Sequence, residues 1–151
     1  MLLTLADQSP FATGATGYSY DSGTGGGGSI KVVLDVIVDE LPTAAILDTG
    51  APFLVCSPLL AQALQPEAST ALGATVMMIR GYLVRGNLHR FTLTMLAELG
   101  DDLTLEVTAF VPNAGQLAET VPTFLGMQGC LERMRFALDP MSDTFYFGPL
   151  A

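Results

Sequence analysis

Thr43-Ala44-Ala45-Ile46-Leu47-Asp48-Thr49-Gly50-Ala51 is the stretch on which the reading of this chain turns. Residues 43–48 (TAAILD) lack the polar alternation of a half-buried strand, so they read as a strand covered on both faces. That strand runs straight into a carboxylate, a hydroxyl and a glycine. An aspartate at the end of a buried strand is costly unless it is protonated, paired or used in chemistry. Thr49 can hydrogen-bond inward and hold the turn, while Gly50 lets the backbone come close to another chain or a ligand. Taken alone, the tripeptide also fits an ordinary strand-ending turn, so its surroundings decide.

Upstream, residues 30–38 (IKVVLDVIV) are rich in β-branched side chains and end at Asp39-Glu40-Leu41-Pro42, the signature of a hairpin turn. Downstream, Ser57 as N-cap and Pro58 at the first helical position announce a short helix, closed before Pro66. Strands are expected over 76–79, 82–85, 88–96 and 103–111, punctuated by Gly81, Gly86 and Gly100-Asp101-Asp102. A helical turn over 129–134 precedes a last hairpin of 135–138 and 144–147. No internal repeat is present. The expected class is all-β, closed or sandwich-like, with one or two short helices.

The chain has 151 residues, which suits one domain, and half of them are hydrophobic. Fifteen acidic against six basic side chains give a formal charge of −9. Such a surface repels phosphate backbones and anionic headgroups, so neither nucleic acid nor a membrane surface is an expected partner. The N-terminal residues lack a basic, apolar signal pattern, and the expectation is a soluble, cytoplasmic protein. Residues 1–29 hold several glycines and the run Gly25-Gly26-Gly27-Gly28-Ser29; a natural linker and an engineered joint read alike here. They are expected to be a flexible segment, with the domain itself spanning 30–151. Cys56 and Cys130 read as reduced core cysteines, and His89 as an exposed strand residue. One histidine and two distant cysteines are too few for a zinc site, so neither metal nor organic cofactor is expected.

A second signal lies about 75 residues beyond Asp48, where Phe124-Leu125-Gly126 follows Val121-Pro122-Thr123. With an apolar strand, Asp-Thr-Gly-Ala, a hairpin and this apolar-apolar-Gly motif in order, residues 30–148 resemble the retropepsin-like aspartic proteases. The resemblance implies a small closed β-barrel and an aspartic endopeptidase that hydrolyses peptide bonds. Such enzymes need two aspartates sharing a proton around a water. This chain offers one qualified motif, because Asp21-Ser22-Gly23-Thr24 has no apolar strand to position it. The implied partner is therefore a second copy, with the two Asp48 carboxylates forming the dyad of a homodimer.

By the same resemblance, Thr49 and Gly50 complete the catalytic motif, Thr49 through hydrogen bonds between the two loops and Gly50 against the substrate backbone. Ala51, Met78, Ile79, Gly81, Leu125 and Gly126 are the candidate substrate-binding residues. The hairpin Met77-Met78-Ile79-Arg80-Gly81-Tyr82 would be a short flap, turned at Gly81. The substrate would be an extended peptide or protein segment cut between apolar residues. Two departures stand out. Retroviral members place an aspartate after Asp-Thr-Gly-Ala and an arginine after the second glycine motif, where this chain has Pro52 and Met127. Loss of that pair leaves open a competing reading, a peptide-binding or dimerisation module without turnover. With Ala51 unable to donate to the dyad, an active enzyme is expected to peak at about pH 4.5–6.5.

Overall fold

The computed structural model describes residues 2–21 and 31–151. The Gly25–Ser29 run and all but the first residue of Asp21-Ser22-Gly23-Thr24 lie outside them. In chain order the strands are β1 (Leu3–Thr4), β2 (Pro10–Ala12), β3 (Gly14–Gly17), β4 (Ser19–Asp21), β5 (Lys31–Val38), β6 (Leu41–Leu47) and β7 (Leu54–Val55). Helix α1 (Pro58–Leu64) comes next, then β8 (Gly73–Ile79), β9 (Tyr82–Met95), β10 (Leu99–Gly100), β11 (Leu103–Pro112), β12 (Thr123–Leu125), β13 (Met134–Asp139) and β14 (Thr144–Pro149). The fold is all-β with one α-helix among the described residues, plus single 3-10 turns at Ala68–Thr70 and Leu131–Arg133.

The larger sheet runs β4-β5-β6-β12-β7-β11-β9-β8. The far half of β5 also pairs with β9, from Val36 opposite Met95 to Val38 opposite Leu93. Strands β5, β6, β12, β7, β11 and β9 therefore form a hydrogen-bonded ring. The shortest of them does the most for the site. β12 lies parallel to β6 and antiparallel to β7, inserted between two strands that are neighbours in sequence.

Successive residues of a strand face opposite sides of a sheet, and here both sides are buried. Ala45, Leu54, Leu125, Ala109, Leu34 and Phe91 face one cluster, which Phe145 and Phe147 of β14 join. Ile46, Val55, Phe124, Phe110, Val84 and Met77 face the other. Each fully buried Leu or Phe contributes about 2–3 kcal/mol of transfer free energy, so both faces hold the sheet. β9 changes the face it buries midway. Val84 serves the second cluster, and Phe91, Leu93 and Met95 serve the first.

Local signals behave as their chemistry demands. Asp39 and Glu40 both take positive φ in a two-residue turn between β5 and β6, and the Asp39 carboxylate accepts from the Thr92 amide at 2.8 Å. The Ser57 hydroxyl caps α1 by accepting from the Leu60 amide at 3.0 Å, and Gln65 closes the helix in the left-handed region.

Three expectations need correction. Residues 2–21, expected as a flexible segment, carry β1 to β4. β3 pairs with β14 and β10 in a second sheet, ordered β10-β3-β14-β13, and β4 pairs with β5. Gly14 answers to packing, because a side chain there would run into the Phe147 ring and the Asp101 carbonyl. Gly86, expected as a break, lies inside the continuous β9; a Cβ there would meet the Val111 carbonyl and the Phe110 ring. His89, expected at the surface, is only 4% exposed, stacked 5.8 Å from the near-parallel ring of Phe91.

Candidate active site

Asp48 is the first residue past β6, and the loop it opens is tied to the loop that follows β12. The Asp48 amide donates to the Leu125 carbonyl at 3.0 Å, Gly126 donates to Phe53 at 2.8 Å, Met127 to Ala51 at 2.7 Å and Phe53 to Gln128 at 3.1 Å. Four backbone bonds within so short a span leave the aspartate little freedom to drift. Gly126 makes the lacing possible, since any side chain there would fall on the carbonyl oxygens of Phe53 and Ala51. Phe53 holds a φ of 60°, a conformation costing a non-glycine residue about 1–3 kcal/mol. Pro52 and Met127, which stand where a charge pair was expected from the resemblance, thus belong to loops joined by main-chain bonds instead.

Within its own turn the Asp48 side chain accepts from the Gly50 amide at 3.1 Å through one carboxylate oxygen, and the Ala51 amide donates to the Asp48 carbonyl at 3.1 Å. The carboxylate is half-buried at the mouth of a pocket of about 200 Å³. Asp48, Gly50 and Ala51 form one side, Val55 and Phe124 another, and Met77 and Ile79 close it from above. The arrangement offers one carboxylate, an apolar wall and a cover. Thr49 and Gly50 stay exposed at the tip of the loop.

The cover is the β8–β9 hairpin, paired from Gly73 opposite Leu88 to Ile79 opposite Tyr82. Its turn is Arg80-Gly81, both at positive φ, as a two-residue hairpin loop requires. The arm is longer than the sequence suggested because the strand passes through Gly86. Met77 and Ile79 point down onto Ile46, Val55 and Phe124. Met78 alternates outward, 63% exposed, and only touches the pocket rim.

Among the expected binding residues, Ala51, Met78 and Ile79 meet at this pocket. Leu125 does not: it is fully buried in the cluster on the opposite face of the sheet. Gly126 sits in the lacing, not on the pocket wall, and Gly81 in the hairpin turn. Strand parity accounts for the exchange of Leu125 for Phe124. Phe124 is in register with Ile46, which shares a sheet face with Asp48, whereas Leu125 pairs with Leu47. Sequence reading missed Val55 and Lys31, and it placed Met77 and Arg80 in the flap without naming them as binding residues; all four line the pocket.

Other nucleophile chemistry finds no support in the thiols. Cys56 and Cys130 are free and buried; desolvation pushes the Cys130 thiol up to about 12 and the Cys56 thiol higher still. Burial likewise moves the His89 imidazole below its ordinary 6.5, and its Nδ1 has no hydrogen-bond partner. No group of three or more metal-ligating side chains occurs among the described residues.

No protein-family model matches this sequence, and no curated protein matches it. Among solved structures, a retropepsin-like aspartic protease from Rickettsia conorii matches with a TM-score of 0.54. The match covers 89% of this chain and 90% of that one, at 16% identity. The chain has the fold of the retropepsin-like aspartic proteases.

Proposed function

We propose that the chain is an aspartic endopeptidase acting as a homodimer, with Asp48 of each copy forming the catalytic dyad. The observation carrying this reading is the Asp48 loop, held by four main-chain bonds at the mouth of a covered apolar pocket, with Thr49 and Gly50 exposed beside it. Among the described residues no second carboxylate lines the pocket, which supports taking the other half of the acid-base pair from another copy. Two carboxylates about 3 Å apart repel by roughly 5 kcal/mol at an effective dielectric of 20, so one keeps a proton. The ionised carboxylate takes a proton from water as the oxygen attacks the peptide carbonyl. The protonated one gives its proton to the carbonyl oxygen. Collapse of the tetrahedral intermediate breaks the C–N bond as a proton reaches the leaving nitrogen.

Self-association is expected to be weak. β3 already fills the place beside β14 within one chain, and the Arg135 guanidinium donates to the carbonyls of Pro10 at 2.9 Å and Leu150 at 3.1 Å. The terminal strands are thereby engaged internally, and the contact between copies falls to the Asp48 loops and hairpin tips.

The test is cleavage of a mixed peptide library between about pH 3.5 and about pH 7, over a range of protein concentrations. Asp48→Asn should lower cleavage by about a thousandfold without shifting the unfolding midpoint, and wild-type specific activity should rise with concentration. Cleavage surviving in Asp48→Asn would refute the dyad. A second reading, peptide binding without turnover, draws on Pro52 and Met127, which stand where retroviral members pair an aspartate with an arginine. Library peptides that bind folded wild type and emerge uncut would favour it.

A further inference from the structure

The β8–β9 hairpin leaves the ring where β11 ends, and a side chain makes the last tie. β11 pairs with β9 as far as Pro112 opposite Gly86. One step on, the Asn113 amide donates to the Arg85 carbonyl at 2.9 Å. In an antiparallel ladder the reciprocal bond would run from the Arg85 amide to the Asn113 carbonyl. That carbonyl is engaged elsewhere: the Gln116 amide donates to it at 3.1 Å and closes a tight turn, with Gly115 at a φ of 78°. The Arg85 amide donates instead to the Gln116 side-chain oxygen Oε1 at 3.1 Å. Asn87 adds a longer bond, from its Nδ2 to Asn113 Oδ1 at 3.4 Å, and Leu117 packs against the second cluster. Among the described residues, 82–84 of β9 pair with β8 alone. Arg85 stands opposite Val76, next to Met77, the first of the two side chains that cover the pocket.

We propose that Gln116 is a positioning residue for the cover. Its carboxamide completes the last rung of the β9–β11 ladder, fixes the root of the hairpin at Arg85, and so holds Met77 and Ile79 over the Asp48 pocket. This rests on the protease reading and deepens it: the Asp48 loop supplies the chemistry, and a residue that does not line the pocket sets how far its cover swings. With that rung open the root moves to Gly86, which has no side chain to restrict its backbone, and the free arm gains a residue pair. Gln116 is itself exposed, so losing its carboxamide removes a tie without leaving a hole in either cluster.

Two substitutions test it. Gln116→Met removes the acceptor at nearly constant size, and Gln116→Glu keeps an oxygen in the same place. In Gln116→Met, amide exchange of the folded chain should quicken about tenfold at Arg85 and about threefold at Met77 and Val84. Gln116→Glu should stay near wild type. On a library peptide that wild type cuts, Gln116→Met should raise KM about fivefold with kcat little changed, and Gln116→Glu should restore it. A merely structural Gln116 would lower the urea midpoint and leave KM in place. That result, or wild-type exchange at Met77 and Val84 in Gln116→Met, overturns the proposal and leaves the protease reading standing. So does a KM that rises equally in both variants. If folded wild type cuts nothing, the protease reading fails by itself, and binding of the library peptides takes the place of KM. Weaker binding in Gln116→Met that Gln116→Glu restores, with the same exchange pattern, upholds the positioning role. Equal binding by all three chains, or none, overturns it.

Discussion

The Asp48 loop and the β8–β9 hairpin close the same pocket by opposite means. The loop is laced to residues 125–128 by four main-chain bonds around a glycine that tolerates no side chain. The hairpin presses two side chains, Met77 and Ile79, onto the second cluster, while Val76, Met78, Tyr82 and Leu83 stay exposed on or beyond its outer face. One side of the pocket is fixed by backbone bonds and the other by a few apolar contacts at the end of a long arm. Chemistry on a peptide needs this division: the carboxylate must not move, and the cover must.

The contrast can be attacked first at its rigid side. Gly126→Ala should cost about 3 kcal/mol, read as a lowered urea midpoint, because backbone carbonyls cannot step aside as a side chain could. If Gly126→Ala proves neutral, the loop is not laced as described. Ile79→Ala should cost less, about 2 kcal/mol, because the space it leaves opens onto the pocket. Amide exchange should be faster along Gly73–Ile79 than at Gly126 and Met127; equal protection would dissolve the distinction.

His89 lies on β9 between the hairpin arm and the ring, and it gives the comparison a pH axis. Its folded imidazole titrates below 6.5 because burial disfavours the charged form. Below 6.5 the unfolded chain therefore binds more protons than the folded one. This contribution is intact above 6.5 and is lost as pH falls toward the folded value. His89→Leu should flatten that decline, with a larger gain in unfolding midpoint at pH 5 than at pH 8 (about 1 kcal/mol or less). An equal gain at both would remove His89 from the account. The smallest effect belongs to the hairpin turn. Arg80 occupies a left-handed position that asparagine favours, so Arg80→Asn should raise stability by about 0.5 kcal/mol.

Local chemistry was readable from the sequence, and distant partners were not. The two-sided strand before Asp48, the Ser57 cap and the Gly81 turn are settled by residues within four positions of one another. Gly14 and Gly86 mislead because their reasons, the Phe147 and Phe110 rings, lie far along the chain. Leu125 was exchanged for Phe124 because the motif gives an order of residues, whereas the face each takes depends on register with β6. Lys31 went unremarked for a similar reason: only the β5–β6 pairing brings it to Asp48.

The insertion of β12 between β6 and β7 also has a consequence in time. The carbonyls and amides that brace the Asp48 loop belong to residues some 75 positions further along the chain. During synthesis at ordinary rates, Asp48 precedes them by on the order of 4–15 s. Through that interval the nascent chain holds the aspartate motif without its brace, so the candidate catalytic loop takes its final form only once nearly all of the ring has been made.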